Sequence, residues 1–369
     1  MTMRAATLPV QRPHDARLLV IDSHGHIEHR PRTAFPQLLR NGDCVIANDA
    51  ATMPASLHGI HRPSRAAIEV RLAGRASLDA ADVRRFTAVV FGAGDFHTPT
   101  EARTAPPVLQ PGDRLGFGKL GATIVRTLDH PRLVELQFEA DAARIWRALA
   151  EQGRPVQYAH LRDALDLWDV WTPIAAQPVA FEAPSAGFVL DWRTVAQVQA
   201  RGVGFATLTH AAGLSSTGDP ALDARLPLDE PYRIPAATAA LIAATHARRG
   251  RVVAIGTTVV RALEHAASGD GIVRAGDGIA NQRIGPQTKL RVADVIVSGT
   301  HEPDTSHYAL LRAFTDTLTL LGATGELEAH GYRTHEFGDS VWIERRACVL
   351  RGMREQPVDP RERERCVTC

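Results

Sequence analysis

Lysine is almost absent from this chain. Of 42 basic residues all but Lys119 and Lys289 are arginine, and 41 acidic residues bring the formal net charge to +1. So even a balance gives the whole molecule little long-range pull on nucleic acid, which leaves local arginine patches as the route to it. No apolar run approaches the roughly 18 residues that a membrane-spanning helix needs, so no membrane partner is expected. The N-terminal stretch carries Arg4, Arg12, His14 and Asp15 without an apolar signal core, and a cytoplasmic location is expected. Four cysteines in 369 residues do not form a disulfide framework. Cys44 reads as a small core residue, and Cys366 and Cys369 make one terminal C-x-x-C, too little for a zinc site. No metal is expected. A phosphate-binding P-loop, a G-x-G-x-x-G after a strand, a G-x-S-x-G elbow and an H-E-x-x-H are all missing. Nucleotide hydrolysis, nicotinamide chemistry, serine hydrolysis and zinc proteolysis therefore lack their markers.

What is present is a globular composition, 44% hydrophobic, in a chain long enough for one large domain or two ordinary ones. Leu18–Ile21 and Cys44–Ala47 are apolar strand candidates. From residue 56 to 144 short alternating segments recur, at Ala66–Leu72, Ala88–Phe91, Arg114–Phe117, Thr123–Leu128 and Leu133–Phe138, with turn clusters between them. This pattern predicts a small antiparallel barrel or sandwich. Beyond it strands and helices alternate. Ala142–Glu151, Asp191–Arg201, Pro235–Arg249 and Thr305–Leu321 read as helices, the last capped by Asp304 or Thr305. Val179–Glu182, Val203–Leu208, Val252–Ile255, Leu290–Val297 and Ser340–Ile343 read as strands. The expectation is a largely parallel sheet covered on both faces, an α/β/α sandwich over 1–55 and 145–350. An all-β segment is inserted at 56–144, and a disordered tail follows over 351–369.

Chemistry should gather where strands end. Val252–Ile255 stops at Gly256, and Thr257 or Thr258 can start the next helix. Such a turn leaves unpaired amides and a positive helix end at the sheet's C-terminal edge. Arg261 and Glu264 follow Thr258 at steps of three, on roughly one helical face. Ala183-Pro-Ser-Ala-Gly187 is a small-residue turn that lets a ligand approach backbone, or simply a strand-to-helix connection. Ser298-Gly-Thr-His-Glu-Pro-Asp-Thr-Ser-His307 occupies the same kind of position, and His301 there can exchange a proton near neutral pH or serve only as a loop residue. Gly338-Asp339 can turn a carboxylate into the same pocket or make an ordinary turn. Glu230 lies in a proline-bounded loop, and its spacing assigns it no role.

These segments resemble, in order, those of the S-adenosylmethionine:tRNA ribosyltransferase-isomerase family of queuosine biosynthesis. The resemblance is carried by Ala183-Pro-Ser-Ala-Gly187, Ala254-Ile-Gly-Thr-Thr-Val-Val-Arg261 with Glu264, His301-Glu-Pro-Asp-Thr305 and Phe337-Gly-Asp339. Arg17-Leu-Leu-Val20, Leu38-Leu-Arg-Asn-Gly-Asp43, Asn48-Asp49, Met53-Pro-Ala-Ser-Leu57 and Pro155-Val-Gln-Tyr158 extend it over nearly the whole chain to about Ile343. The resemblance implies an α/β/α sandwich with an inserted barrel and S-adenosylmethionine as cosubstrate. Its ribosyl part would pass to 7-aminomethyl-7-deazaguanine in tRNA, giving epoxyqueuosine, adenine and methionine. It implies Glu230, His301 and Asp339 as candidates for proton transfer or ribose contacts. It also implies substrate contacts at Asn48, Pro184, Ser185, Gly187, Gly256, Thr257, Thr258, Arg261, Glu264 and Thr305, with Arg261 on the methionine carboxylate or a phosphate. A monomer or weak homodimer is expected.

The chain also departs from the family pattern. Arg225 and Leu228 stand where the loop before Glu230 carries two histidines. The histidine of Thr207-Leu-Thr-His210 is displaced by one position, and Asn48-Asp-Ala-Ala51 lacks the arginine of Asn-x-x-Arg. Two further readings therefore stand beside the family reaction. One is a paralogue that uses S-adenosylmethionine on another acceptor or cleaves it as a lyase, and the other is a non-catalytic RNA- or nucleotide-binding protein.

Overall fold

A computed structural model describes residues 3–303 and 305–346. Nine strands form one sheet in the order Gly276–Ala280, Glu230–Ile234, Gly204–His210, Cys44–Asn48, Val252–Ile255, Val295–Gly299, Ser340–Glu344, Arg17–Ile21 and Ile27–Pro31. Cys44–Asn48 is parallel to both its neighbours, Gly204–His210 and Val252–Ile255, and the latter is parallel to Val295–Gly299. These central strands are the β-rich, doubly buried runs that a covered parallel sheet requires. Their side chains alternate between two cores. Cys44, Ile46, Val252, Ala254 and Ile296 face one layer of helices, which includes Ala236–Ala247, Thr257–Ala266 and Thr317–Ala329. Val45, Ala47, Val253, Ile255 and Val297 face the other, built from the 3-10 turn Arg32–Leu38 and helix Trp192–Ala200. On that side Phe35 meets Trp342 edge-on, ring centroids 6.1 Å apart, a pairing that adds about 1 kcal/mol beyond area burial.

Six antiparallel strands between Ser56 and Phe138 close into a barrel. Its interior aliphatic and phenylalanine side chains run into one core with Met53, Ile145, Leu149 and Phe181. The buried Glu69 carboxylate is neutralised there by Arg71 and Arg103.

The structure corrects four sequence expectations. The sheet is mixed rather than largely parallel. Glu230–Ile234 and Gly276–Ala280 are added antiparallel at one edge and Ile27–Pro31 at the other, while Ser340–Glu344 runs against Val295–Gly299. The segment 305–321 is two helices, Ser306–Leu311 and Thr317–Ala329, because Asp316 accepts from the Thr319 amide and caps a new start. The strand expected from Leu290 begins only at Val295, since the amides of Arg291, Val292 and Ala293 all donate to Glu264 instead of a ladder. Ser56–His61 is a barrel strand that the alternation did not reveal. Asp304, the expected disordered tail and the terminal Cys366/Cys369 pair lie outside the described residues, whereas Thr305 does cap its helix through Tyr308 N.

Candidate active site

The turns singled out in the sequence meet above the C-terminal ends of the parallel strands. Gly256 ends Val252–Ile255 with φ +97°, and a Cβ there would stand 3.3 Å from Ala186, so the two turns touch. Glycine meets both demands at once, left-handed backbone and close approach. It offers no capping side chain to helix Thr257–Ala266, whose first-turn amides give the cavity a positive end.

Two adjacent lobes open there, of about 200 and about 600 Å³. Pro184, Ser185, Gly256, Thr257, Thr258, Glu230, Arg261 and His301 line the smaller lobe, together with Arg283 and His307. Thr305 lines the larger one with Tyr158, His160, His335 and Glu336. Glu182, Ala183, Ser185, His301 and His307 belong to both.

Glu182 lines both lobes with a strongly altered carboxyl. Burial pushes its carboxyl up to about 7, and the nearby Glu336 charge adds to the effect. The Tyr158 hydroxyl donates to Glu182 Oε1, with Ser216 O 3.0 Å from the same oxygen. Burial, with Glu182 beside it, raises the phenol well above its ordinary range. Tyr158 is therefore a neutral donor, and Glu182 a carboxyl poised to hold or release a proton near neutral pH.

His301 and His307 are neutral. His301 and His307 stack with centroids 4.6 Å apart and planes 12° from parallel. Burial and His307 depress His301 well below the imidazole range, and burial takes His307 down to about 4. Ser298 Oγ lies 3.2 Å from His301 Nε2 and fixes that ring.

Other expected contacts have structural duties. Arg261 is ion-paired with Glu230 and donates to the carbonyls of Ala280 (2.7 Å), Leu228 (3.3 Å) and Gln282 (3.4 Å). Burial lowers it to about 10, still charged at neutral pH. All three of these carbonyl bonds leave from Nη2 and Nε has no hydrogen-bond partner, so Arg261 keeps donor capacity at the cavity wall, while the exposed Arg283 at the rim has spent one donor on Ala224 O. Glu230, the first residue of strand Glu230–Ile234 rather than a loop residue, also accepts the Gly213 amide at 2.6 Å, so it ties the segment at Gly213 to helix Thr257–Ala266 rather than standing free. Beneath it His210 is fully buried and, desolvated beside Arg261, has a proton affinity well below normal.

Four expected site residues do not line either lobe. Asn48 accepts from the amides of Ala50 and His210 and donates to His210 O, with Thr258 Oγ1 3.3 Å away, so it braces the cavity floor from behind. Gly187 packs against Thr172, leaving no room for a Cβ. Glu264 is consumed by the three amides described above. Asp339 points into the fold, where it accepts from the Arg17 and Arg333 amides, both at 2.8 Å, and from the Arg17 side chain. It ties the start of one strand to the turn before another. Sequence reasoning, in turn, passed over Glu182, Tyr158, His307 and Arg283 as site residues. The available signal for Glu182 was its position, an acid at the last residue of a strand run and directly before a small-residue turn.

A family model described as queuosine biosynthesis protein matches residues 2–343. The chain is 31% identical over 359 residues to the S-adenosylmethionine:tRNA ribosyltransferase-isomerase of Methylobacterium sp. (strain 4-46), covering 91% of this chain and 93% of that one. It is 32% identical to the protein of the same name from Sorangium cellulosum (strain So ce56), with 92% and 94% covered. A crystal structure of S-adenosylmethionine tRNA ribosyltransferase from Thermotoga maritima, 22% identical, covers 92% of this chain and 96% of its own at a TM-score of 0.48.

Proposed function

The chain belongs to the queuosine biosynthesis protein family, and on that footing we propose that it is an S-adenosylmethionine-dependent transferase-isomerase. It moves the ribosyl part of S-adenosylmethionine to 7-aminomethyl-7-deazaguanine in tRNA, giving epoxyqueuosine and releasing adenine and methionine. The reading takes 1–55 with 145–350 as the catalytic α/β/α domain and 56–144 as the inserted barrel, in a cytoplasmic monomer or weak homodimer.

The observation that carries the reading is Glu182 at the junction of the two lobes, with its carboxyl raised to about 7. The sulfonium acidifies the neighbouring C5′ proton, so the reaction opens with a base, and the departing adenine then takes up a proton or hydrogen bond. A carboxyl whose proton affinity matches the working pH serves both demands better than an ordinary one. In this proposal Glu182 removes the C5′ proton, and Tyr158 holds it in place by the hydrogen bond to Oε1. His301 and His307, neutral and stacked, offer ring nitrogens to ribose or adenine rather than formal protons. The amides of Thr257 and Thr258 and the guanidinium of Arg283 draw the methionine carboxylate to the smaller lobe. The larger lobe then admits the modified base.

Nucleoside mass spectrometry tests this. Incubation with S-adenosylmethionine and tRNA carrying the aminomethyl base should yield the epoxyqueuosine nucleoside. Unchanged tRNA would leave the lyase or the binding protein as the reading.

A further inference from the structure

We propose that His160, His335 and Glu336 together form a binding site for a divalent cation of the zinc class on the wall of the larger lobe. One ligand atom from each of the three lies within 4.8 Å of the other two, and His160 Nε2 is 3.1 Å from Glu336 Oε2. His160 and His335 stack with centroids 4.2 Å apart. Two imidazoles and one carboxylate are a recognised zinc donor set, and they leave a coordination position open to the cavity. A further carboxylate, Glu302, lies 3.8 Å from His335 Nε2.

The backbone supports convergence. His335 and Glu336 open the turn 335–338, which the Gly338 amide closes by donating to His335 O at 3.0 Å, so the chain reverses where the two side chains approach one another. His335 sits at φ +68°, one of three non-glycine residues at positive φ among those described, with Arg65 and Arg249, and the one that lines the cavity. The ligand atoms of His335 and Glu336 lie within 4.8 Å of one another. The site does not depend on the transferase reading, because its test is binding. If that reading also holds, a cation at Glu336 would offset one of the charges that raise Glu182.

The experiment is a titration of the metal-stripped full chain with Co²⁺, followed by visible absorption, with Zn²⁺ as competitor. One equivalent should bind at micromolar concentration with tetrahedral d–d bands and be displaced by Zn²⁺. His335→Asn preserves a residue that tolerates left-handed backbone, and Glu336→Gln preserves shape. Each should weaken binding by at least about tenfold. His29→Ala, in the exposed His29/Glu326/His330 cluster, should leave it unchanged. Absence of saturable binding by the wild-type chain overturns the proposal without recourse to any variant. So does a titration unaltered by His335→Asn and Glu336→Gln, or an intense thiolate band that Cys366→Ser removes.

Discussion

The Tyr158 hydroxyl, on the wall of the larger lobe, is hydrogen-bonded to Oε1 of Glu182, the carboxyl that lines both lobes. A phenol donor beside a carboxyl raised to about 7 by burial defines the acid–base centre of the account.

Replacing Glu182 by Gln keeps the shape and removes the base. Turnover should fall by about a hundredfold or more while KM for S-adenosylmethionine stays within about threefold. Steady-state kinetics on the folded variant check this. A rate within about threefold of wild type, under ~1 kcal/mol in the barrier, removes Glu182 from the chemistry.

The pH profile has a definite sign. A base must be ionised, so wild-type kcat should fall about tenfold per pH unit below about 7. The Tyr158 hydrogen bond acts to lower the Glu182 value, so Tyr158→Phe should move this acid limb to higher pH. A limb that moves the other way contradicts the assignment. Stability follows linkage. The folded value lies above the ordinary 4.5, so this group's stabilising contribution is complete below that pH and is lost as pH rises towards 7. Melting curves of wild type and Glu182→Gln should therefore converge at low pH relative to their difference at pH 7.

Glu264 separates structure from chemistry. Glu264→Ala deprives three amides of their acceptor, at about 1–3 kcal/mol for each one left buried and unpaired. The melting temperature should drop by several degrees, and kcat per folded molecule should stay within about threefold of wild type. A selective loss of kcat with unchanged melting would return Glu264 to the site.

Arg283→Ala should raise KM for S-adenosylmethionine about tenfold and leave kcat nearly unchanged, the pattern of lost uniform binding. An equal loss in kcat would instead assign Arg283 to the transition state.

The central strands, the turns and the all-β insertion were legible because they rest on local signals: apolar runs, alternation and glycine at strand ends. The edge strands Ile27–Pro31, Glu230–Ile234 and Gly276–Ala280 carry no such run and were not legible. Nor were the roles of carboxylates. Glu230, Glu264 and Asp339 each occupied a plausible loop or helix face in sequence, yet each is claimed by partners that only tertiary structure brings together: Arg261, the amides of 291–293, and Arg17 with Arg333. Glu182 was hidden for the opposite reason. Its altered proton affinity comes from burial and from Glu336, which is 154 positions along the chain from it. The expected single helix over 305–321 failed because periodicity does not report the cap at Asp316.

The central claim is transfer of ribose from S-adenosylmethionine to a tRNA base, and adenine release measures it most directly. Purified chain and S-adenosylmethionine should release adenine only when tRNA carrying 7-aminomethyl-7-deazaguanine is added, one adenine for each epoxyqueuosine formed. Adenine released at the same rate without that tRNA, or none released with it, would contradict the account.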